Sequence, residues 1–180
     1  MDPFPHRYPV TAAGDPHVVR LVELFASHPI WCEAARRIRE DSCSRVFFQH
    51  QPGQPWRLVR RAGGTVLEPG HVEDPDLALC FAPQAIEELA STRGSVSEFA
   101  LALFRLALDD DPERRVRIRV IAPFTRLIAR GYVDLLLRGG PKLLWFGASH
   151  GVRTPGQLRQ LVDAVRRAEP EDWEREDPQG

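Results

Sequence analysis

The chain has 180 residues, of which 43% are hydrophobic, and its formal net charge is −1. This length suits a single domain with a substantial core, and the near-zero charge gives no general attraction to nucleic acid or to an anionic membrane. No apolar run is long enough to cross a bilayer, so the sequence predicts no membrane span. The first ten residues lack the basic and apolar segments of a secretory signal, and we therefore expect a cytoplasmic protein.

The proline-rich residues 1–14 are predicted to form an extended N-terminal arm. Asp15 followed by Pro16 is typical of an N-cap with proline in the first helical position, and Pro29 should divide this first helix from a second. Three strand candidates come next, joined by links that contain turn residues, and they predict antiparallel hairpins. These candidates are residues 44–51, 55–61 and 65–70.

The stretch PDLALCFAPQAIEELA changes its hydrophobic period at Pro83. Before the proline, Leu77, Leu79 and Phe81 alternate with small side chains, which predicts a fourth strand over 76–82 that has no polar face. After the proline, the apolar spacing predicts a helix over 83–92. A strand without a polar face should be covered on both sides.

The second half of the chain is predicted to alternate helices with one further strand. Ser95 and Glu98 have the spacing of a capping box, and the helix that they begin is apolar over most of its circumference, so we expect it to be largely buried. Residues 15–168 are interpreted as one domain, and the acidic residues 169–180 as a flexible tail. The remaining predicted elements are a helix at 95–108, a strand at 114–122, a helix at 124–137, an apolar run at 142–146 and a helix at 157–167.

The sequence contains no spacing that is typical of a metal or catalytic site. The three cysteines form no CxxC pair, and no two of the six histidines lie four residues apart on a predicted helix, so we expect reduced thiols and no metal. The acidic run from Asp109 to Asp111 has the composition of a metal site, but its position before Pro112 favours a solvated cap. Ser149 and His150 lack the GxSxG elbow of a hydrolase. We therefore expect no cofactor and no enzymatic activity.

Arginines concentrate on the predicted strand 114–122 and on the helix after it. Two interpretations stay open. The arginines form either a basic stripe that binds phosphate groups or a solvent-exposed face that pairs with nearby acids, and we favour the second. Few aromatic residues are interleaved with these arginines, so binding of single-stranded nucleic acid is weakly supported, and we expect no nucleic-acid partner. The arginines are Arg114, Arg115, Arg117, Arg119, Arg126 and Arg130.

The order of the predicted elements over roughly residues 44–145 resembles the sterol carrier protein 2 (SCP2-like) family. The resemblance is carried by the strand that opens with Asp74-Pro75-Asp76-Leu77-Ala78-Leu79 and by the helix residues Ile86-Glu87-Glu88-Leu89-Ala90, then by Gly94, Phe99 and the strand 116–120. This sequence departs from the family in having Thr92-Arg93-Gly94-Ser95 where a Gly-Lys pair is usual, and in the whole helix 95–108. The final apolar helix is also longer than in the family, and a further helix follows it.

The resemblance implies an α+β fold in which a curved antiparallel five-stranded sheet is covered by helices, with extra N- and C-terminal helices. It also implies a hydrophobic tunnel between sheet and helices and a non-catalytic role in binding or carrying a lipid or another hydrophobic small molecule. Tyr132 or an arginine at the mouth of the tunnel would hold a polar head group. The candidate ligand-binding residues are Phe48, Phe99, Leu103, Phe104, Phe124, Ile128, Tyr132 and Leu136.

An alternative interpretation has the same fold with its cavity filled by its own side chains. The protein would then be a protein–protein interaction or scaffolding module. A protein partner would dock through residues 142–167, which combine an apolar run with an amphipathic helix.

Overall fold

The computed structural model describes residues 14–137 and individual positions between 149 and 166. The predicted arm 1–14 therefore lies outside the described residues except for Gly14, and the tail 169–180 lies wholly outside them. The helices are α1 (Pro16–Ser27), α2 (Pro29–Ala35), α3 (Pro83–Ser91), α4 (Val96–Ala107), α5 (Phe124–Ala129) and α6 (Tyr132–Leu137). The strands are β1 (Cys43–Phe48), β2 (Gln51–Arg61), β3 (Gly64–Pro69), β4 (Leu77–Phe81) and β5 (Val116–Val120).

The five strands form one sheet in the order β3-β2-β1-β4-β5, and with the helices they make an α+β fold. The predicted fold class is confirmed, with one difference in strand direction. Three pairings are antiparallel, whereas β1 and β4 run parallel, so the sheet is mixed. The reason is local: β1 to β3 are joined by short turns, but the longer link after Pro69 returns the chain to the other side of β1.

The turn between β1 and β2 lies at residues 49–50, whereas the sequence predicts it at 52–54. The strand β2 begins at Gln51, so Pro52 and Gly53 belong to the strand and not to the turn. The pairing register shifts between Val46 and Phe48, and Gly53 has a φ of 82°. Such an irregularity accommodates a proline and a glycine inside a strand, because the local ladder is interrupted there.

Both faces of β4 are covered, as its alternation predicts. One face, which we call the core face, carries Leu79 and Phe81 and contributes to the main hydrophobic cluster with residues of α1 to α4. On the opposite face, Phe47 of β1 lies beside the small residues Ala78 and Cys80 of β4, and all three are buried. Small side chains at these positions permit close packing against that face.

Two predicted helices differ from their observed form. The helix predicted over 124–137 is two short helices, because Gly131 has a φ of 85° and interrupts the helix between Arg130 and Tyr132. The helix α4 has its predicted capping box, but among its residues only Phe99 and Leu106 are fully buried. The expectation that α4 is largely buried is therefore wrong, and Leu108 at its end is 55% exposed.

Helix caps form at residues whose sequence pattern is typical of capping. The Asp15 carboxylate accepts hydrogen bonds from the backbone N–H groups of His17 and Val18, at 2.9 and 3.2 Å, and so caps α1. Thr154 and Gln157 form a second capping box, with the N–H of Gln157 3.2 Å from the Thr154 hydroxyl. None of the helices among the described residues has the length and apolar character needed to cross a bilayer.

Candidate functional site

The side chains on the core face of the sheet are fully buried at one end of the sheet and only half-buried at one corner. At the closed end, Phe48, Phe81 and Val116 form a row across β1, β4 and β5, and they are at most 2% exposed. In the next row, Leu79 is 9% exposed and Ile118 is half-buried. In the last row, Leu77 and Val120 are both half-buried. Apolar burial therefore falls steadily along β4 and β5.

We call the half-buried group Leu77, Ile118 and Val120 the open corner. Its position at the sheet edge does not by itself explain the exposure. At the other edge, Thr65 and Leu67 of β3 occupy the same face and are 8% and 1% exposed. The helices α1 and α2 pack on β3, and α4 contacts β5. Within the described part of the chain, the helices therefore cover the open corner less completely than they cover β3.

A polar cluster lies at the same end of the sheet as the open corner. Asp76 immediately precedes β4 and is fully buried, and its Oδ2 lies 2.7 Å from Nη1 of Arg130. Its Oδ1 lies 3.1 Å from Nε of Arg126, in an ion pair that lacks the alignment of a hydrogen bond. Arg126 of α5 and Arg130, which follows that helix, therefore compensate one buried carboxylate, whose desolvation costs several kcal/mol.

Asp74 and Tyr132 complete the polar cluster. Both terminal nitrogens of Arg126 donate to the exposed carboxylate of Asp74, and Nη2 also donates to the Pro75 carbonyl at 3.0 Å. The Arg126 hydrogen bond lowers the pKa of Asp74 below its usual range. The Tyr132 hydroxyl donates to Oδ2 of Asp76 over 3.3 Å and also hydrogen-bonds with Ser44. Burial, followed by the negative charge of Asp76, raises the pKa of Tyr132.

The backbone around Asp76 fixes the cluster to the sheet. Its N–H donates to the Cys43 carbonyl at 2.8 Å, and its carbonyl accepts from Ile121 and Ala122, at 3.0 Å each. The starts of β1 and β4 and the end of β5 therefore meet at this residue. Because Leu77 follows Asp76 and Ser44 pairs with Leu77, the polar cluster borders the last row of the core face, with Val120 beyond Leu77 in that row.

The sequence-predicted ligand residues divide into two groups. Phe48 and Phe99 belong to the main hydrophobic cluster, at 1% and 5% exposure, and Leu103 packs against that cluster. Phe104 is half-buried on α4. The second group lies on α5 and α6, outside that cluster: Phe124 is half-buried, Ile128 is 52% exposed, and Tyr132 is half-buried in the polar cluster. The side chain of Leu136 lies outside the described residues.

The sequence predicts that the face of Leu77 is covered, and it places Asp76 only within the family resemblance. Alternation identifies the face of a side chain, but it carries no information on which part of a face the helices leave uncovered. Asp74 and Asp76 beside Pro75 were the visible signal for a charged site. Arg126 and Arg130, four residues apart on α5, were its matching partners.

Other charged residues follow the interpretation that arginines pair with acids. Arg114 lies 2.9 Å from Glu88 and 3.9 Å from Asp109. Asp109 and Asp111 accept hydrogen bonds from backbone N–H groups two residues ahead, as a solvated cap does. Within the described part of the chain, no group of three or more His, Cys, Asp or Glu side chains is placed to hold a metal ion.

A separate surface depression of about 320 Å³ lies beside the start of α1, lined by residues that include Asp15, Val19 and Arg20. It is on the outer side of that helix, where Val19 is 39% exposed, and it is not part of the open corner. The predicted docking segment 142–167 lies outside the described residues, apart from individual positions.

Comparison with known proteins gives one solved structure to report. No protein-family model and no curated protein matches the sequence. A structure described as the UbiJ-SCP2 ubiquinone synthesis protein is 15% identical, with a TM-score of 0.42, and the match covers 77% of this chain and 98% of that chain. We therefore base the functional proposal on the residues of this chain.

Proposed function

We propose that this protein binds a lipid-like apolar molecule at the open corner and does not transform it chemically. The observation that carries the proposal is the fall in burial across the three rows of the core face. Leu77, Ile118 and Val120 are half-buried, whereas other apolar residues of the same face are at most 9% exposed, namely Val46, Leu58, Leu67 and Leu79. An exposed apolar patch that continues into a packed core is a characteristic binding site.

Binding energy at the open corner would come from covering these three side chains. Each Å² of apolar surface removed from water contributes about 25 cal/mol before ordering costs are subtracted. The helix α4 contacts β5, the strand that carries Ile118 and Val120. A flexible acyl or prenyl chain is a suitable ligand because it adapts to a corner formed by a sheet and a helix.

The polar cluster gives the site an amphipathic character. Asp74, Arg126 and Tyr132 lie near the start of β4, where Leu77 of the open corner follows Asp76. A lipid with its chain on Ile118 and Leu77 would therefore place its head group beside polar side chains. The Tyr132 hydroxyl already donates to Asp76. In the proposal, Tyr132 therefore helps to fix the structure that borders the site and does not bind the ligand.

The first experiment is solvent extraction of the freshly purified protein, followed by mass spectrometry for bound lipid. The variant Val120→Phe fills the open corner and should lower the bound lipid at least tenfold. Its matched control is Val66→Phe, which makes the same change at a half-buried valine of the other edge strand, on the opposite face. Urea unfolding of both variants verifies that they are folded.

Equal lipid content in the two variants would contradict the open corner as the binding site. An absence of lipid from the wild-type protein, also after incubation with a lipid mixture, would contradict binding itself. That second result would favour a protein-interaction module. Its partner would contact the side chains of Leu108 and Ile128, which are 55% and 52% exposed. Affinity capture with the wild-type chain, repeated with Ile128→Asp, would then test that alternative.

A further inference from the structure

We infer that the open corner takes up a single-chain amphiphile with its methyl end first, and that Val116 limits how far the chain enters. This inference rests on the proposed function, because it concerns the same site. Two observations carry it. The uncovered part of the core face narrows toward Val116, and its two ends differ in polarity.

The uncovered part of the core face is a strip that follows β5. In the last row, Leu77 of β4 and Val120 of β5 are both half-buried, so the strip is two strands wide there. In the middle row, Ile118 is half-buried but Leu79 is 9% exposed, so the strip narrows to one strand. Two residues along a strand span about 7 Å, and neighbouring strands lie about 4.8 Å apart. A narrowing strip of this size suits the end of one extended hydrocarbon chain.

Val116 closes the strip at its inner end. It lies on the same face as Ile118, two residues earlier in β5, and it is 0% exposed. Its partner in β4 is Phe81, at 2% exposure, and Phe48 of β1 continues this row at 1%. All three side chains are already covered by the protein. Because protein cores are close-packed, a chain that advances along β5 stops against Val116.

The polarity of the two ends orients the ligand. The inner row consists of Val116 and two phenylalanines, so a head group placed there would lose its hydration among apolar side chains. The last row, at the end of the sheet, includes Ser44, which pairs with Leu77 and hydrogen-bonds with Tyr132. The methyl end of the chain therefore points toward Val116, and the head group stays at the end of the sheet.

The first test measures the affinity of straight-chain alcohols, from 1-butanol to 1-dodecanol, by equilibrium dialysis of the full chain. Each methylene that covers apolar surface should tighten binding about fourfold, and the gain should stop when the chain end reaches Val116. Val116→Ala shortens this side chain, so the gain should continue for roughly one or two further methylenes. We expect the variant to bind 1-dodecanol at least threefold more tightly than the wild-type protein does, and 1-butanol equally.

Val18→Ala is the matched control for this variant. It makes the same change at a buried valine of α1, a helix that packs on β3 and α3. In this control the gain should stop at the same chain length as in the wild-type protein. Urea unfolding verifies that both variants are folded.

A second measurement uses the wild-type protein alone and does not depend on the folding of a variant. It compares two photoreactive forms of 1-dodecanol, with a diazirine either at the chain end or beside the hydroxyl-bearing carbon. Mass spectrometry then identifies the labelled residues. The chain-end probe should label Val116 or Ile118, and the probe with the diazirine beside the hydroxyl-bearing carbon should label Leu77 or Val120.

The outcomes separate this inference from the proposed function. A reversed labelling pattern would overturn the inference while it supports binding at the open corner. An unchanged affinity of Val116→Ala for 1-dodecanol, or an equal gain in Val18→Ala, would also overturn it, since Val116 would then not limit the depth of entry. Binding of none of the alcohols, to the wild-type protein or to the variants, would overturn the proposed function and the inference with it.

Discussion

Asp76 and Arg130 are separated by 54 positions in the sequence, yet Oδ2 of Asp76 lies 2.7 Å from Nη1 of Arg130. The carboxylate is fully buried, whereas the arginine side chain remains 20% exposed. This pair joins the start of β4 to the end of α5, and it positions Tyr132 through a second contact on the same oxygen. Asp76 is therefore one of the residues that fix the arrangement of α5 relative to the sheet, together with Asp74 and Pro75.

Replacement of Asp76 by Asn should lower the free energy of unfolding by about 3 kcal/mol, because it leaves two arginines without their buried counter-ion. The amide has the same shape, so the loss reports on charge and not on packing. Urea unfolding measures it, with Asp110→Asn as a control for the removal of an exposed acid. Stabilities within about 0.5 kcal/mol of each other for the two variants would show that the buried pair contributes little.

The contacts that could be predicted from the sequence are those within a few residues. The Ser95–Glu98 capping box and the Asp15 cap were predicted because their donors and acceptors lie within three residues. The pairing of Asp76 with Arg130 could not be predicted, since only the return of α5 to the sheet brings them together. The exposure of the open corner could not be predicted either, because alternation identifies the face of a strand but not how far the helices cover it.

Thr65 connects two elements of the main core through one hydroxyl. The indole N–H of Trp31 donates to Thr65 over 2.6 Å, and the Thr65 hydroxyl donates in turn to the Phe25 carbonyl. Thr65→Val keeps the shape and removes both hydrogen bonds, so we expect a loss of about 1–3 kcal/mol in the free energy of unfolding. Urea titration followed by circular dichroism measures the loss.

The matched control for this substitution is Thr92→Val. Thr92 donates to the Glu88 carbonyl near the end of α3, where that side chain is half-buried and connects no separate elements. We expect a loss below about 1 kcal/mol for this variant. A loss at Thr65 no larger than that at Thr92 would show that the connection between Trp31 and Phe25 does not stabilise the core.

Cys43 should react slowly with alkylating reagents at pH 8. Its thiol is half-buried, and burial, followed by the negative charge of Asp76, raises its pKa despite the opposing arginines. A raised pKa leaves less thiolate than an ordinary cysteine of pKa about 8.5 would have at that pH. Rates of iodoacetamide modification from pH 7 to 10, resolved by peptide mapping, should therefore rise for Cys43 with a midpoint above 8.5.

The variant Asp76→Asn supplies the control for this profile, since it removes the negative charge next to the thiol. Its Cys43 should titrate at lower pH than in the wild-type protein, as long as circular dichroism shows the native fold in the absence of urea. A wild-type midpoint at or below pH 8.5 would contradict the influence of burial and of Asp76 on this cysteine.

Gly131 lies where α5 ends and α6 begins, and its replacement by Ala should destabilise the protein more than a surface substitution does. Its φ of 85° is unfavourable for a residue with a side chain, by roughly 1–2 kcal/mol, and an added Cβ would lie 2.1 Å from the Arg37 carbonyl oxygen. Relief of this clash requires α5 and α6 to shift away from Arg37, because the obstacle is backbone. The expected loss in the free energy of unfolding is thus above about 2 kcal/mol, measured with urea. A change in lipid content should accompany it if α6 borders the open corner through Tyr132.

Gly14→Ala is the control, since a Cβ at that position meets nothing within 4 Å. Equal stability of the two variants would show that the break between the two helices tolerates a side chain.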